Sequence, residues 1–148
     1  MTTRADFTED EWRVVLEGPT SAGMLVVTAS KGGMFRETFA MSKAYAEARA
    51  EHGRSALLDA VVATNPKVEH VHAGSPEAAR EQLLGILGQA TALVAAKADV
   101  EELGAYRRFV ITLSEKVAAA HREHGVDVDA AEARALQDVK TALGVPPS

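Results

Sequence analysis

Residues 121–132, "HREHGVDVDAAE", hold the densest set of possible metal ligands in the chain. Carboxylates bind hard cations such as calcium, and imidazoles bind zinc. An EF-hand loop, however, needs a glycine inside the ligand series and a closing glutamate at its twelfth position. Gly125 precedes Asp127, Asp129 and Glu132, so the spacing does not fit. We favour a structural interpretation, in which Gly125 ends one helix and the Asp129/Glu132 pair caps the next.

The two histidines of this stretch define the alternative. His121 and His124 lie three residues apart, so a helix places them on one face, where they could share a divalent metal with Asp127. The structural interpretation is that polar or cationic side chains are favoured in the last turn of a helix. A metal-binding module built from residues 121–132 therefore stays open as the second hypothesis.

A third group of candidate residues lies at "EHVH". On an extended segment His70 and His72 would point the same way and could bind one ion, beside Glu69. A solvated surface loop explains the same letters, since the surrounding residues 65–74 lack helical periodicity. A small enzyme built around these three residues is the third hypothesis.

Other catalytic signatures are missing from the sequence. There is no G-x-S-x-G nucleophile elbow and no Walker-type phosphate loop. The single Glu-x-x-His at residues 69–72 has no second copy, as a di-iron helical bundle would require. We therefore predict a non-enzymatic protein without a resident cofactor.

Composition narrows the class further. The chain has 148 residues, 47% apolar and 25% charged, a size and balance typical of one globular domain spanning residues 1–148. Its net charge of −5 and its lack of cysteine argue against a nucleic-acid partner and exclude disulfides and cysteine nucleophiles. With no signal-like or bilayer-spanning segment, we expect a cytoplasmic protein that does not insert into membranes.

Capping and breaking residues predict an all-α bundle of six or seven helices. The pairs Thr8/Glu11 and Asp99/Glu102 have capping-box spacing, and Ser75 precedes Pro76 as a helix start should. We expect a first helix to stop near Gly18 and a second to begin at Pro19. On the helix from 34 to 52, we expect an apolar face through Phe35, Phe39, Ser42 and Ala46, widened by Met34, Met41, Tyr45 and Ala48.

The helix after Ser75 carries two kinds of stripe. Its apolar stripe includes Leu83, Leu87 and Val94, and a strip of small residues runs beside it. Small side chains let a neighbouring helix approach closely, so the strip could pack inside the protein or form a symmetric dimer surface. The strip consists of Gly85, Gly88, Ala92 and Ala95.

The last third of the chain, "LSEKVAAAHREHGVDVDAAEARALQDVKTALGV", resembles the closing segment of the tellurite-resistance TerB-like helical proteins. A looser likeness covers "VVTASKGGMFRETFAMSKAYAEA", with Gly32 at the break between two helices. Lys31 and His124 stand where that family usually has an acid before each glycine. The resemblance implies a compact all-α domain linked to stress response or to membrane-associated complexes, and it implies metal association. The matching residues of the last third are Gly125, Asp129, Glu132, Leu136, Leu143 and Gly144.

These observations together predict a non-enzymatic, TerB-like helical domain. We expect it to act by binding a protein partner or by self-association, as a homodimer for example. The alternative is a metal-responsive module that uses residues 121–132 and a divalent ion.

Overall fold

The computed structural model describes residues 2–29, 34–51, 53, 55–64, 74–122 and 130–144 of the chain. Over these residues the protein is all-α, as predicted, with no strand. A short 3-10 turn, Arg4–Asp6, comes before the α-helices. The helices are α1 (Glu9–Ala29), α2 (Met34–Ala50), α3 (Ala56–Val62), α4 (Pro76–Lys97), α5 (Val100–Arg122) and α6 (Ala130–Ala142).

Helices α1 and α4 begin where the capping signals at Thr8/Glu11 and at Ser75 predict, and α3 has a further cap at Ser55. Thr8 and Glu11 form a reciprocal capping box, since the Thr8 N–H donates to the Glu11 carboxylate at 2.9 Å and the Glu11 N–H donates to the Thr8 hydroxyl at 3.1 Å. Ser55 and Ser75 cap α3 and α4 through their hydroxyl oxygens. Each such cap stabilises a helix by about 1 kcal/mol.

The prediction of two helices meeting at Gly18 and Pro19 is wrong, because α1 continues through both residues. Proline has no N–H, so Pro19 cannot donate to the carbonyl of Val15 four residues earlier. The Tyr106 hydroxyl of α5 donates to that carbonyl instead, at 2.7 Å. Burial, together with the neighbouring Tyr45, raises the pKa of Tyr106 well above its usual value. The hydroxyl therefore keeps the proton that it donates.

Gly18 makes room for this hydrogen bond. A Cβ built on Gly18 would collide with the Tyr106 hydroxyl oxygen and would lie 2.8 Å from the Cβ of Ala90 on α4. Gly18 is therefore the point where α1, α4 and α5 approach each other closely. The glycine serves close packing rather than ending a helix.

Helices α1 and α5 run through the centre of the bundle and contribute to both of its apolar clusters. The larger cluster joins them to α3, α4 and α6, and the most extensive helix contact is between α1 and α4. The smaller cluster joins the second half of α1 and the middle of α5 to α2, where the Tyr45 ring meets Phe109 edge-on.

The apolar face predicted for α2 is only partly right. Met41 and Tyr45 are buried, whereas Phe39 is 68% exposed and Ser42 and Ala46 face solvent. The buried face therefore runs through Met41 and Tyr45, which the sequence pattern predicts only at the margin of the apolar face. It is rotated by roughly one residue because α2 packs on α5 through Met41, Ala44 and Tyr45.

Only one of the two hydrogen bonds of the predicted capping box is present at the start of α5. The Glu102 N–H donates to the Asp99 carboxylate at 2.7 Å. The buried Glu102 carboxylate turns away from Asp99 and accepts the Thr2 N–H, with its two oxygens at 3.1 and 3.2 Å. Glu102 thereby fixes the segment that precedes α1, and the Thr2 hydroxyl donates to the Lys97 carbonyl at the end of α4.

Lys97 makes the second attachment of this segment. Its ammonium donates to the Asp6 carbonyl at 2.6 Å and to the Glu11 carboxylate at 2.9 Å, and it lies 5.2 Å from the centre of the Phe7 ring. The hydrogen bond from the Thr8 backbone, followed by that from Lys97, lowers the pKa of Glu11. The first turn of α1 and the last turn of α4 are thus joined by charge as well as by packing.

We predict that the cost of losing the Tyr106 hydroxyl depends on Pro19. Tyr106→Phe leaves the buried Val15 carbonyl without its donor and should lower the free energy of unfolding by about 1–3 kcal/mol. In a Pro19→Ala background, the N–H of residue 19 can donate to the same carbonyl, so the loss should be clearly smaller. Denaturant titration of the four proteins, followed by Trp12 fluorescence, measures the difference. An equal loss in both backgrounds would contradict this account.

A second prediction concerns acid stability. Because the folded state lowers the pKa of Glu11, the stability that this carboxylate contributes is present above its unfolded pKa and is lost as the pH falls through the folded value. The difference in melting temperature between wild type and Glu11→Gln should therefore shrink as the pH drops from neutral to below 4.5. Glu9→Gln, in the same turn but outside these bonds, is the control. A difference that stays constant across this range would count against the proposed linkage.

Candidate functional site

Of the five predicted metal ligands, only Glu132 has a side chain that the structure describes. His124, Asp127 and Asp129 lie outside the described residues, and His121 is described only as a backbone position in the last turn of α5. Among the described residues, no group of three or more histidine, aspartate or glutamate side chains is placed to hold a metal ion. The metal hypothesis remains a prediction.

Glu132 lies in the first turn of α6, as predicted, and its side chain is completely buried. The fully formed capping box of α1 differs in this respect, because the Thr8 hydroxyl and Glu11 carboxylate meet at the surface. Burying an ionised carboxylate is unfavourable unless donors, a cation or a proton compensate it. Glu132 is therefore more than a surface cap.

The residues of the third hypothesis, Glu69, His70 and His72, also lie outside the described residues. So do Lys31 and Gly32 of the earlier family likeness, and Gly125 of the later one. No prediction that depends on these positions is tested by the structure.

The most unusual described surface is the outer face of α4, defined as Gln82, Gly85, Gln89, Ala92, Ala95 and Ala96. All six residues are exposed. The opposite side of α4 carries Leu83, Leu87, Ala90 and Val94, which are buried against the rest of the bundle. The helix is thus amphipathic in burial, although the exposed side lacks the charges that usually mark a solvated face.

This absence of charge extends over four turns. Residues 82–96 contain no aspartate, glutamate, lysine or arginine, a length of about 21 Å along the helix axis. The exposed sides of the other long helices carry charges, such as Lys43 on α2, Glu101 and Arg108 on α5, and Arg134 on α6. Depletion of charge is a compositional mark of the centre of protein interfaces.

Two glycines, Gly85 on this face and the half-buried Gly88 beside it, have no close-packing role within the described chain. A Cβ built on Gly85 or Gly88 would meet no described atom within 4 Å, in contrast to Gly18. Each glycine in a helix interior costs about 1 kcal/mol relative to alanine. Three of the four residues in the predicted small-residue strip are exposed and Gly88 is half-buried, and a Cβ at Gly85 or Gly88 would touch no neighbouring helix among the described residues.

A second surface feature is an open groove of about 780 Å³ between α2, α3 and α5. Leu58, Ala105 and Phe109 form part of its apolar lining, and Glu47 pairs with Lys116 across it. The hydrogen bond from Lys116 lowers the pKa of Glu47. Its walls carry charges of both signs, from Glu47, Glu51, Asp59, Glu101, Arg107, Arg108 and Lys116.

The small-residue strip on α4 is predicted from the sequence, whereas the wider outer face is not. The signal that indicates the wider face is the absence of charged residues between 82 and 96. What the sequence does not contain is whether a neighbouring helix also covers Gly85, which depends on how α4 packs in the bundle.

Comparison with protein-family models, with curated proteins and with solved structures finds no match to this chain. The site must therefore be interpreted from its own chemistry. Among the described residues, no helix combines the length and low polarity needed to cross a bilayer.

We predict opposite effects for alanine at the two kinds of glycine. Gly85→Ala and Gly88→Ala should each raise the free energy of unfolding by about 0.5–1 kcal/mol in dilute protein, because alanine favours the helix and the added methyl group faces open space. Gly18→Ala should lower it by about 1–3 kcal/mol through overpacking against Tyr106 and Ala90. Chemical denaturation of the three variants measures both effects. Destabilisation by Gly85→Ala would mean that the outer face of α4 is covered even in dilute protein.

Proposed function

We propose that this protein is a non-enzymatic helical module that acts through protein–protein contact, with the outer face of α4 as its contact surface. The observation that carries the proposal is the exposed, uncharged side of α4 between residues 82 and 96. A partner that covers this face desolvates no charged group, so association avoids the desolvation penalty that buried charges carry. The glutamine amides can exchange hydrogen bonds with water for hydrogen bonds with the partner.

The glycines support the same proposal because they lower the stability of the helix that contains them. Gly85 and Gly88 weaken the helix, although a Cβ at either position would meet no described atom within 4 Å. Close approach of a second helix is the use that small residues have at helix interfaces. A second copy of the chain is the simplest partner, because one neutral face can meet another without like-charge repulsion.

The size of the face sets the expected strength. A helix side about 21 Å long and roughly 10 Å wide offers on the order of 200 Å² in projection, whereas a standard interface buries about 800 Å² on each partner. The outer face of α4 alone is thus too small for a permanent complex. We propose a reversible contact, extended by surfaces beside α4.

The biological setting is proposed from the sequence. The likeness to TerB-like proteins supports a role in stress response, as in tellurite resistance, and the composition supports a cytoplasmic location. The lack of recognisable catalytic motifs in the sequence supports a binding role over an enzymatic one.

We predict that a single charge on the outer face of α4 abolishes association. Ala92→Lys should remove both the concentration-dependent increase in sedimentation coefficient and any specific capture of other proteins by the immobilised chain, because the lysine would have to be desolvated in the interface. Ala46→Lys makes the same change on an exposed alanine of α2 and should leave association intact. Circular dichroism confirms that both variants fold.

Two outcomes would contradict the proposal. In the first, every association that the wild-type chain shows, with itself or with another protein, persists in Ala92→Lys, or the wild-type chain shows none. The other is an equal loss in Ala92→Lys and Ala46→Lys, which would place the contact elsewhere or indicate a general effect of charge.

A metal-responsive module remains the second candidate, and the carboxylates and imidazoles that the sequence places between residues 121 and 132 support it. Glu132 would then be one ligand, together with Asp127 and Asp129 and with His121 or His124.

We predict that, if this candidate is correct, one ion among calcium, magnesium, manganese, zinc and nickel raises the melting temperature of chelator-treated protein. A ligand at a hundredfold its Kd stabilises by about 2.7 kcal/mol, equivalent to several degrees. Asp127→Ala combined with Asp129→Asn should remove the shift, and isothermal titration should show one site lost. If no ion shifts the melt, the stretch from 121 to 132 is a joint between two helices.

A further inference from the structure

We draw no further inference here: the strongest candidate, the open groove between α2, α3 and α5, carries carboxylates and cationic side chains on its walls in mixed order, and nothing in the structure shows what covers it.

Discussion

The hydrogen bond from the Tyr106 hydroxyl to the Val15 carbonyl is the constraint on which the bundle depends. A proline inside a helix ordinarily costs about 3 kcal/mol or more, partly because a carbonyl loses its N–H donor. Here a buried side chain from α5 replaces that donor, and Gly18 gives it space. Helix α1 can therefore run unbroken for 21 residues, long enough to contact α4, α5, α6 and α2 in turn. Without this contact, the Val15 carbonyl would be buried without a donor, and α1 would lose the interaction that compensates for Pro19.

The same contact explains which parts of the fold could be predicted from the sequence. A capping box joins residues three apart, so Thr8 with Glu11 could be identified from local spacing alone. The helix class and most of the buried stripe of α4 follow from periodicity for the same reason. Pro19 could not be interpreted in this way, because the compensating hydroxyl belongs to Tyr106, which is 91 residues from the Val15 carbonyl that it binds. Glu102 shows the same limit. The local spacing predicts the hydrogen bond from its N–H to the Asp99 carboxylate, whereas its own carboxylate accepts the N–H of Thr2, 100 residues away in the sequence.

The candidate surface was predicted in part for related reasons. The lack of charge between residues 82 and 96 and the presence of small residues there are properties of the sequence. Their orientation is a property of packing. Small residues in a helix have two interpretations, an internal close contact or an outward face, and this chain contains both: Gly18 supports the first, and Gly85 and Gly88 support the second. The packing of α1 against α4 and α5 distinguishes them, since it determines which side of each helix meets a neighbour.

The two surfaces of the bundle differ in what they require of a partner. The groove between α2, α3 and α5 contains charged groups, among them the ion pair of Glu47 and Lys116. A partner filling it would have to desolvate these charges and replace their interactions with water, which often cancels the gain from burial. The outer face of α4 imposes no such penalty, although its small side chains also offer little apolar area. The low desolvation penalty makes a contact on this face easy to form, and the small apolar area keeps that contact weak. Both properties favour a contact that forms and dissociates readily over one that is permanent.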